Sequence, residues 1–548
     1  MDFLKRVFVG KQSSIGSAAI ILMVTVLLSR ILGLVRDRLL AGTYPPDLLG
    51  VYFAAFRLPN MMFDLLVTGV LTTAFIPVFT RLLTQKGEKY AWHMASIVMN
   101  YAVISFAIFS LPVLLFAKQV SFLLAPGFSP DEQTIMANFT RVMIIFQVFP
   151  LMIGNFLTGM LQSYQLFFIP ALAPILYNIG TIIGILFFAP IFGLWAPVIG
   201  VVIGAFLFLL VQIPVLLHLK YTHSWSLDKG IEGVKEVAKL MIPRTIGLGV
   251  SQIDTTADLT LASLLGTRMV TIFNFAQHLQ QLPIGLFGAT IAQAALPTFS
   301  RSSAHEEKGQ FRKQLISSLH QILFFVLPLS ILFIILRIPI TRLVFGSDEF
   351  DWEATVLTGQ TLATFSLSLC AQSFIQVLAR AFYALYDTKT PVIIGIIGIV
   401  LNVVFSVVFV YGFHWSIWAL GLSTSLATIL HAGALFFMLQ RRIGRFSLHD
   451  LVITPGKIVF ASVIMGVIIF VLQRLLDQLI FDTTRTVNLL LLVGTVSGVG
   501  GSVYLFLSWV FGVGQVERFI FQLKKLKKVR TLLPIPFFAS SDPEKDRM

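Results

Sequence analysis

The stretch Ala74-Phe75-Ile76-Pro77-Val78-Phe79-Thr80-Arg81 recurs 220 residues later as Ala294-Ala295-Leu296-Pro297-Thr298-Phe299-Ser300-Arg301. Two further anchors sit at nearly the same distance: Ser29-Arg30 aligns with Ser251-Gln252 at 222, and Pro170 with Pro391 at 221. Three anchors within two residues of one offset mark an internal duplication. Composition says what is duplicated. Of 548 residues, 56% are hydrophobic, 12% are charged and 51 are Phe, and mean hydropathy is +0.87. The charged share is roughly half that of soluble domains. It cannot cover a soluble surface, which excludes an ordinary soluble enzyme, a disordered chain and a nucleic-acid-binding domain. The repeated unit therefore belongs in a membrane.

A spanning helix needs about 20 mainly apolar residues. Apolar runs between polar breaks give about fourteen, near 14–41, 48–81, 91–118, 134–163, 167–190, 194–219, 235–265, 269–300, 311–345, 354–384, 390–412, 415–440, 454–478 and 487–512. The runs are long and continuous, which favours helices over a barrel. The repeat offset covers six spans, an even number, so the halves share one orientation, as in parallel repeats. The expected fold is an all-α polytopic membrane protein with about 14 transmembrane helices, in two pseudo-symmetric six-helix lobes plus two C-terminal helices. Residues 1–222 form the N-lobe, 223–445 the C-lobe, 446–515 the two extra helices, and 516–548 a basic cytoplasmic tail. A cavity between two such lobes is the natural substrate site for alternating access.

Charge sets the orientation. The chain has 40 Lys plus Arg against 26 Asp plus Glu, net +14. Loops after even spans are basic: Arg81, Lys86 and Lys89; Lys220, Lys229, Lys235 and Lys239; Arg301, Lys308, Arg312 and Lys313; Lys389; Arg441, Arg442 and Arg445. The loop after span four has none. Loops after odd spans carry Asp47, then Asp131 and Glu132, then Asp348, Glu349, Asp351 and Glu353, with Arg268 and Arg485 as exceptions. This alternation puts both termini in the cytoplasm. The tail residues Lys524, Lys525, Lys527, Lys528 and Arg530 agree, and suit anionic lipid. Lys5, Arg6 and Lys11 precede the first span, but it is too long, and lacks the small-residue cleavage site, for a signal peptide. Single Cys370 excludes an internal disulfide.

Some charges break the pattern. Arg30, Arg36, Asp37 and Arg38 lie in the first span, Arg57 and Asp64 in the second, and Arg141 in the fourth. An ionisable group inside a bilayer costs about 2.5–3.5 kcal/mol on insertion scales and points to function by default. Arg36, Arg38 and Arg57 fall in the outer half, where topology disfavours basic residues. An aqueous cavity binding an anion explains them, because the planar guanidinium fork pairs with phosphate oxygens and stays charged. The competing explanations are an internal ion pair of Arg36 or Arg38 with Asp37 or Asp64, or snorkelling to the interface. In the C-lobe, Asp254 and Asp258 are four apart and share a helix face. With Asn402 and Thr424 they offer oxygen ligands to a cation such as sodium, or a carboxylate for a proton, or simply hydrogen bonds that pack the lobe. His278, Gln277, Gln280 and Gln281 form a polar patch in span eight that fits a cavity wall. Pro59, Pro77, Pro243, Pro283 and Pro297 are positioned to bend spans two, seven and eight. No phosphate-binding loop, metal-ligand spacing or nucleophile with its base is present, so the chain reads as a transporter without cofactors rather than an enzyme.

The segment Ser29-Arg30-Ile31-Leu32-Gly33-Leu34-Val35-Arg36-Asp37 resembles the first-helix motif of the MurJ (MviN) family. So do Phe56-Arg57-Leu58-Pro59-Asn60, Ala74-Phe75-Ile76-Pro77, Leu282-Pro283-Ile284-Gly285, Ala295-Leu296-Pro297, and above all Arg380-Ala381-Phe382-Tyr383-Ala384-Leu385-Tyr386-Asp387-Thr388-Lys389-Thr390-Pro391. The likeness runs from about 14 to 510. The family belongs to the multidrug/oligosaccharidyl-lipid/polysaccharide exporter superfamily. Its members flip lipid II, the undecaprenyl-pyrophosphate-linked peptidoglycan precursor, across the bacterial inner membrane. The resemblance implies a lipid II or related polyprenyl-pyrophosphate substrate, a lipid groove involving the helices near 454–512, and contact with membrane lipids and cell-wall synthesis proteins. It carries Ser29, Arg30, Arg36 and Asp37 over as substrate-binding residues, beside Arg57 and His278. The chain departs from the family pattern at Val51, Phe63, Asp64, Thr68 and His278, the last replacing an arginine, which implies a less basic cavity. The other readings are an exporter of another polyprenyl-linked glycan or a small drug, and a non-transporting scaffold for cell-wall enzymes.

Overall fold

The computed structural model describes residues 15–68, 74–305, 307–444, 446–447, 449–483 and 485–517. Lys5, Arg6, Lys11, Arg445 and the basic tail from Lys524 to Arg530 lie outside them. Every regular element among the described residues is a helix. Among the described residues ten helical stretches are long and apolar enough to cross a membrane, and the pair Trp352–Ser366 and Leu369–Ala384, bent by 44°, is long and apolar enough when taken together, on the stretch expected as span ten. The other three expected spans fall on the helices Ile15–Thr43 and Val234–Leu264 and on the broken stretch Pro46–Lys86. The protein is an all-helical polytopic membrane protein.

The duplication is written in the backbone. Gln165 and Tyr386, 221 residues apart, both have positive φ, 63° and 58°. At each, the next residue's N–H reaches back to a helix carbonyl: Leu166 to Leu161 and Asp387 to Phe382, both at 3.0 Å. Gly193 and His414, again 221 apart, have φ of 53° and 55°. Neither Gln165, Tyr386 nor His414 is a glycine, so a left-handed turn kept at a costly residue reflects the constraint of the turn itself. Wide π-helical turns also recur, at Asp64–Thr68 after Pro59 and at Ile284–Ala289 after Pro283. Val234–Leu264 instead continues helically through Pro243.

The described residues divide into two compact units. One holds residues up to 280 with 337–365 and 389–431; the other holds 281–336, 366–388 and those from 432 on. In the first unit, helices Phe168–Phe192 and Trp195–Leu210 approach through Gly180 and Gly184 facing Gly204 and Gly200. A Cβ on Gly184 would lie 2.2 Å from the Gly200 Cα. In lipid, apolar surface gains little by leaving the bilayer, so close backbone approach through small residues supplies the attraction. Around Phe75, Phe79 and Phe156 a ring-packed core joins the second, third and fourth spans. Buried hydroxyls such as Ser96 and Thr181 return their hydrogen bonds to their own helix, four residues back, which removes unpaired polar groups from the apolar interior.

At one end of this unit Arg268 gathers the loops expected on a single face. It binds Asp351, and lies 3.6 Å from Asp47 and 3.5 Å from Glu353. Its place among acid-rich loops, an exception to the topology pattern, is thus an ion-pair role. Thr271 donates to the Pro46 carbonyl at 2.6 Å and Gly50 sits against the Thr267 carbonyl, closing the same end. At the other end Arg81 pairs with Glu236 at 2.5 Å, and Lys86 with Glu232.

In the second unit, Tyr504 donates to the Phe324 carbonyl at 2.7 Å, tying the last described span to helix Lys308–Ile335. The two C-terminal helices, Thr454–Leu479 and Thr486–Val510, pack together where Gly500 admits Ile469. Arg442 closes onto Asp387 at 2.6 Å, fixing the turn within the Arg380–Pro391 motif.

Candidate functional site

A cavity of about 400 Å³ lies wholly within the first unit. The first helix contributes Arg36 and Leu40. The broken second span contributes Tyr52, Phe53, Phe56, Arg57 and Asn60, Phe168–Phe192 contributes Tyr177, and Thr267–Pro283 contributes Asn274, Gln277 and His278. Asn274, Gln277 and His278 are three and four apart, so one helix face presents all three. This is the polar patch read from span eight. Gln280 is buried away from the lining, and Gln281 belongs to the second unit.

The charged centre is Arg36, Asp37 and His278. Arg36 Nε and Nη2 donate to Asp37 Oδ1 at 2.9 and 2.8 Å. Asp37 Oδ2 meets His278 Nδ1 at 2.9 Å, across 241 residues of sequence. The Asp37 side chain is 4% exposed, whereas Arg36 and His278 are 24% and 34% exposed. The carboxylate therefore sits behind, and the two nitrogen bases front the cavity. Arg36 Nη1 also reaches Asn178 Oδ1 at 3.4 Å, and the Asn178 amide donates to the Ser29 carbonyl and hydroxyl at 3.2 Å. Ser29 thus belongs to the support of Arg36. Arg36 thus forms the internal ion pair that one competing explanation expects, and it also fronts the cavity, as an anion site requires.

Arg57 lines the cavity and is held by neutral groups. Its Nε donates to Thr256 Oγ1 at 2.9 Å, and Nη2 to the Gln252 carbonyl and Oε1, both at 2.6 Å. Gln252 in turn donates to Asp64 Oδ2 at 3.1 Å. Arg38 donates to the Leu343 carbonyl at 2.6 Å and Arg141 to the Leu114 carbonyl at 3.1 Å, so both cap backbone rather than face the cavity. Arg30 is exposed and does not line the cavity. Of the five departures from the family pattern, His278 reaches the lining.

Of the second cluster, the structure brings together Asp254, Asp258 and Asn402. The Asn402 amide donates to one oxygen of each carboxylate at 3.0 Å. Thr424 donates to the Leu420 carbonyl of its own helix at 2.8 Å. Among the described residues no group of three or more His, Cys, Asp or Glu is arranged to hold a metal. Asn402 bridges the two carboxylates, and its own side-chain oxygen is buried without a hydrogen-bond partner.

Sequence reasoning missed Tyr52, Tyr177, Asn178 and the Gln252–Thr256 cradle. Asn178 carried a usable signal, an amide in the otherwise apolar run 167–190. The tyrosines did not, since Tyr is common in membrane helices.

The family model described as lipid II flippase MurJ matches residues 47–492 of this chain. A lipid II flippase MurJ of Burkholderia cenocepacia is 28% identical over 427 residues, 76% of this chain and 82% of its own. A probable lipid II flippase MurJ of Buchnera aphidicola is 26% identical, covering 89% of this chain and 95% of its own. Among solved structures, a lipid II flippase MurJ in an inward closed conformation matches with a TM-score of 0.72 at 24% identity, over 88% of this chain and 98% of that one. An inward-facing multidrug resistance MATE family transporter of the MOP superfamily matches at 0.63 and 14% identity, over 76% and 94%. These two structural likenesses carry the fold.

Proposed function

The chain belongs to the lipid II flippase MurJ family, and from that premise we propose that it flips lipid II from the inner to the outer leaflet by alternating access during peptidoglycan synthesis. It is a transporter, not an enzyme. The observation that carries the reading is the Arg36–Asp37–His278 group at a cavity wall, with Arg36 and His278 facing the space and Asp37 behind them. A pyrophosphate is the ligand such a wall suits: Arg36 supplies a permanent charge and paired donors, and His278 adds a charge only when protonated. Asp37 orients both without facing the ligand itself. Arg57, bound to neutral oxygens, keeps its charge available to the same space. Ser29 and Asn178 hold Arg36 from behind. Arg30 acts outside the cavity. The test is rescue of a flippase-depleted cell, together with lipid II flipping in proteoliposomes. A wild-type chain that does neither, although inserted and folded, refutes the proposal.

The membrane is the bacterial inner membrane, with both termini in the cytoplasm and the halves 1–222 and 223–445 rocking about the substrate, the helices in 446–515 giving the tail a lipid groove. A reporter fused in the loop at Pro126 should read as external; a cytoplasmic signal there would overturn the orientation. The coupling ion is sodium or a proton held by Asp254 and Asp258 beside Asn402. Replacing Asp258 with Asn should abolish the ion or pH dependence of flipping while the protein still inserts. Unchanged dependence would leave the pair as packing only.

A further inference from the structure

The Asp37–His278 contact fixes how the imidazole is protonated. Asp37 Oδ1 takes both donors of Arg36, and Oδ2 is left to His278 Nδ1. An ionised carboxylate only accepts, so Nδ1 carries a hydrogen in either charge state of the ring. The two states then differ at Nε2 alone: a lone pair when the ring is neutral, an N–H when it is charged. Nε2 makes no hydrogen bond among the described residues, and the ring is part-exposed and lines the polar cavity. Phe53 meets it edge-on, with ring centroids 6.0 Å apart. The other titratable groups of the lining are Arg36 from the first helix, Tyr52 and Arg57 from the second span, and Tyr177 from Phe168–Phe192. Asn274 and Gln277, on the helix of His278, are neutral. Asp64 and Asp258 act on Arg57 from outside the lining. Arginines stay charged and phenols neutral near pH 7, so His278 is the lining group whose charge changes between about pH 5 and 8.

Charge decides what the cavity can hold. Arg36 and Asp37 cancel, so with a neutral His278 the lining keeps the single positive charge of Arg57. A diphosphate esterified at both ends carries two negative charges at neutral pH, and its free oxygens only accept hydrogen bonds. Against the neutral ring it would meet a lone pair and leave one of its charges unmatched, which is costly where water is displaced. A proton on Nε2 supplies both the missing charge and a donor. We propose that His278 Nε2 is a proton site filled together with the head group, so that each lipid diphosphate binds with one proton drawn from water. The bond formed is Nε2–H, and the departing head group returns that proton to water. Asp37, at Nδ1, stabilises the charged ring from behind. This proton site rests on the flippase reading, and it is separate from the Asp254–Asp258 pair, which lies outside the lining.

The experiment is isothermal titration calorimetry of the purified full chain with lipid II in detergent, at about pH 8, in buffers of differing ionisation enthalpy. Wild type should take up about one proton per lipid bound, and its affinity should fall by up to about tenfold per pH unit above about pH 7. At saturating lipid this proton does not limit the flipping rate, so the Asp258→Asn comparison is independent of it. His278→Gln keeps a donor toward Asp37 but cannot be charged; it should bind more weakly and take up no proton. His278→Arg, charged throughout, should bind more tightly than His278→Gln, without uptake and without the pH slope. Wild-type binding with no uptake, or uptake that persists in His278→Gln, overturns the proton site and leaves the flippase reading in place. A folded wild-type chain that binds no lipid II ends both. Should neither variant fold, nitrogen NMR of the wild-type histidine rings decides. Nε2 should carry a lone pair in the free protein at about pH 8 and a hydrogen once lipid II is bound, and an unchanged Nε2 overturns the site.

Discussion

Arg36→Ala should reduce lipid II flipping by roughly a hundredfold, while Arg30→Ala should stay within a few-fold of wild type. Arg36 fronts the cavity and Arg30 is exposed outside its lining. A hydrogen bond to a charged group is worth about 1.5–3 kcal/mol, and the guanidinium fork supplies more than one. Loss of about 3 kcal/mol is somewhat more than a hundredfold. The truncation also leaves Asp37 buried with His278 as its remaining side-chain partner, so some stability is lost as well. Arg36→Lys separates the two effects. It keeps a charge beside Asp37 but not the fork, and should flip at an intermediate rate with near-normal stability. The measurement is initial flipping rate in proteoliposomes, with insertion and melting temperature recorded for each variant. Equal damage from Arg30→Ala and Arg36→Ala, in proteins that are equally well folded, would remove the cavity from the mechanism.

Gly184→Leu should be among the most destabilising single changes in the first unit. The new Cβ alone would lie 2.2 Å from the Gly200 Cα, 2.6 Å from its nitrogen and 2.8 Å from the Ala196 carbonyl oxygen. All three are backbone atoms, which cannot rotate aside, so the helix pair must separate. Separation also opens the contact at Gly180, where a Cβ would lie 2.3 Å from the Gly204 Cα. Overpacking of this kind costs about 3 kcal/mol or more. A fall in melting temperature of roughly 3 °C or more is expected, with lower yield of folded protein. Gly494→Ala is the control: nothing lies within 4 Å of its added Cβ, and alanine favours the helix. A Gly184→Leu protein as stable as the control would show that this glycine contact does not hold the unit together.

Much of the site's logic was partly legible. Arg30 and Arg36 are six residues apart, which at 3.6 residues per turn places them about 120° apart on the helix. One cavity cannot face both squarely, and the motif alone treats them alike. Arg268 looked like a violation of the charge pattern until Asp47, Asp351 and Glu353 converged on it. Asp254 and Asp258, four apart, share a face that Asn402 meets, whereas Thr424, offered beside them as an oxygen ligand, turns its hydroxyl to its own helix.

By itself the amino-acid sequence determined the solvent, the helices and the duplication. Those depend on local properties: apolar runs of membrane length, and a segment recurring at one offset. The structure kept that offset in the left-handed turns at Gln165 and Tyr386. Only the tertiary structure decided which charge faces which space. The pairing of Asp37 with His278, and of Arg57 with Gln252 and Thr256, joins residues about 200 or more apart in the chain. Such contacts follow from the rotation and depth of whole helices against one another, set by small-residue contacts and ring packing that no single segment encodes.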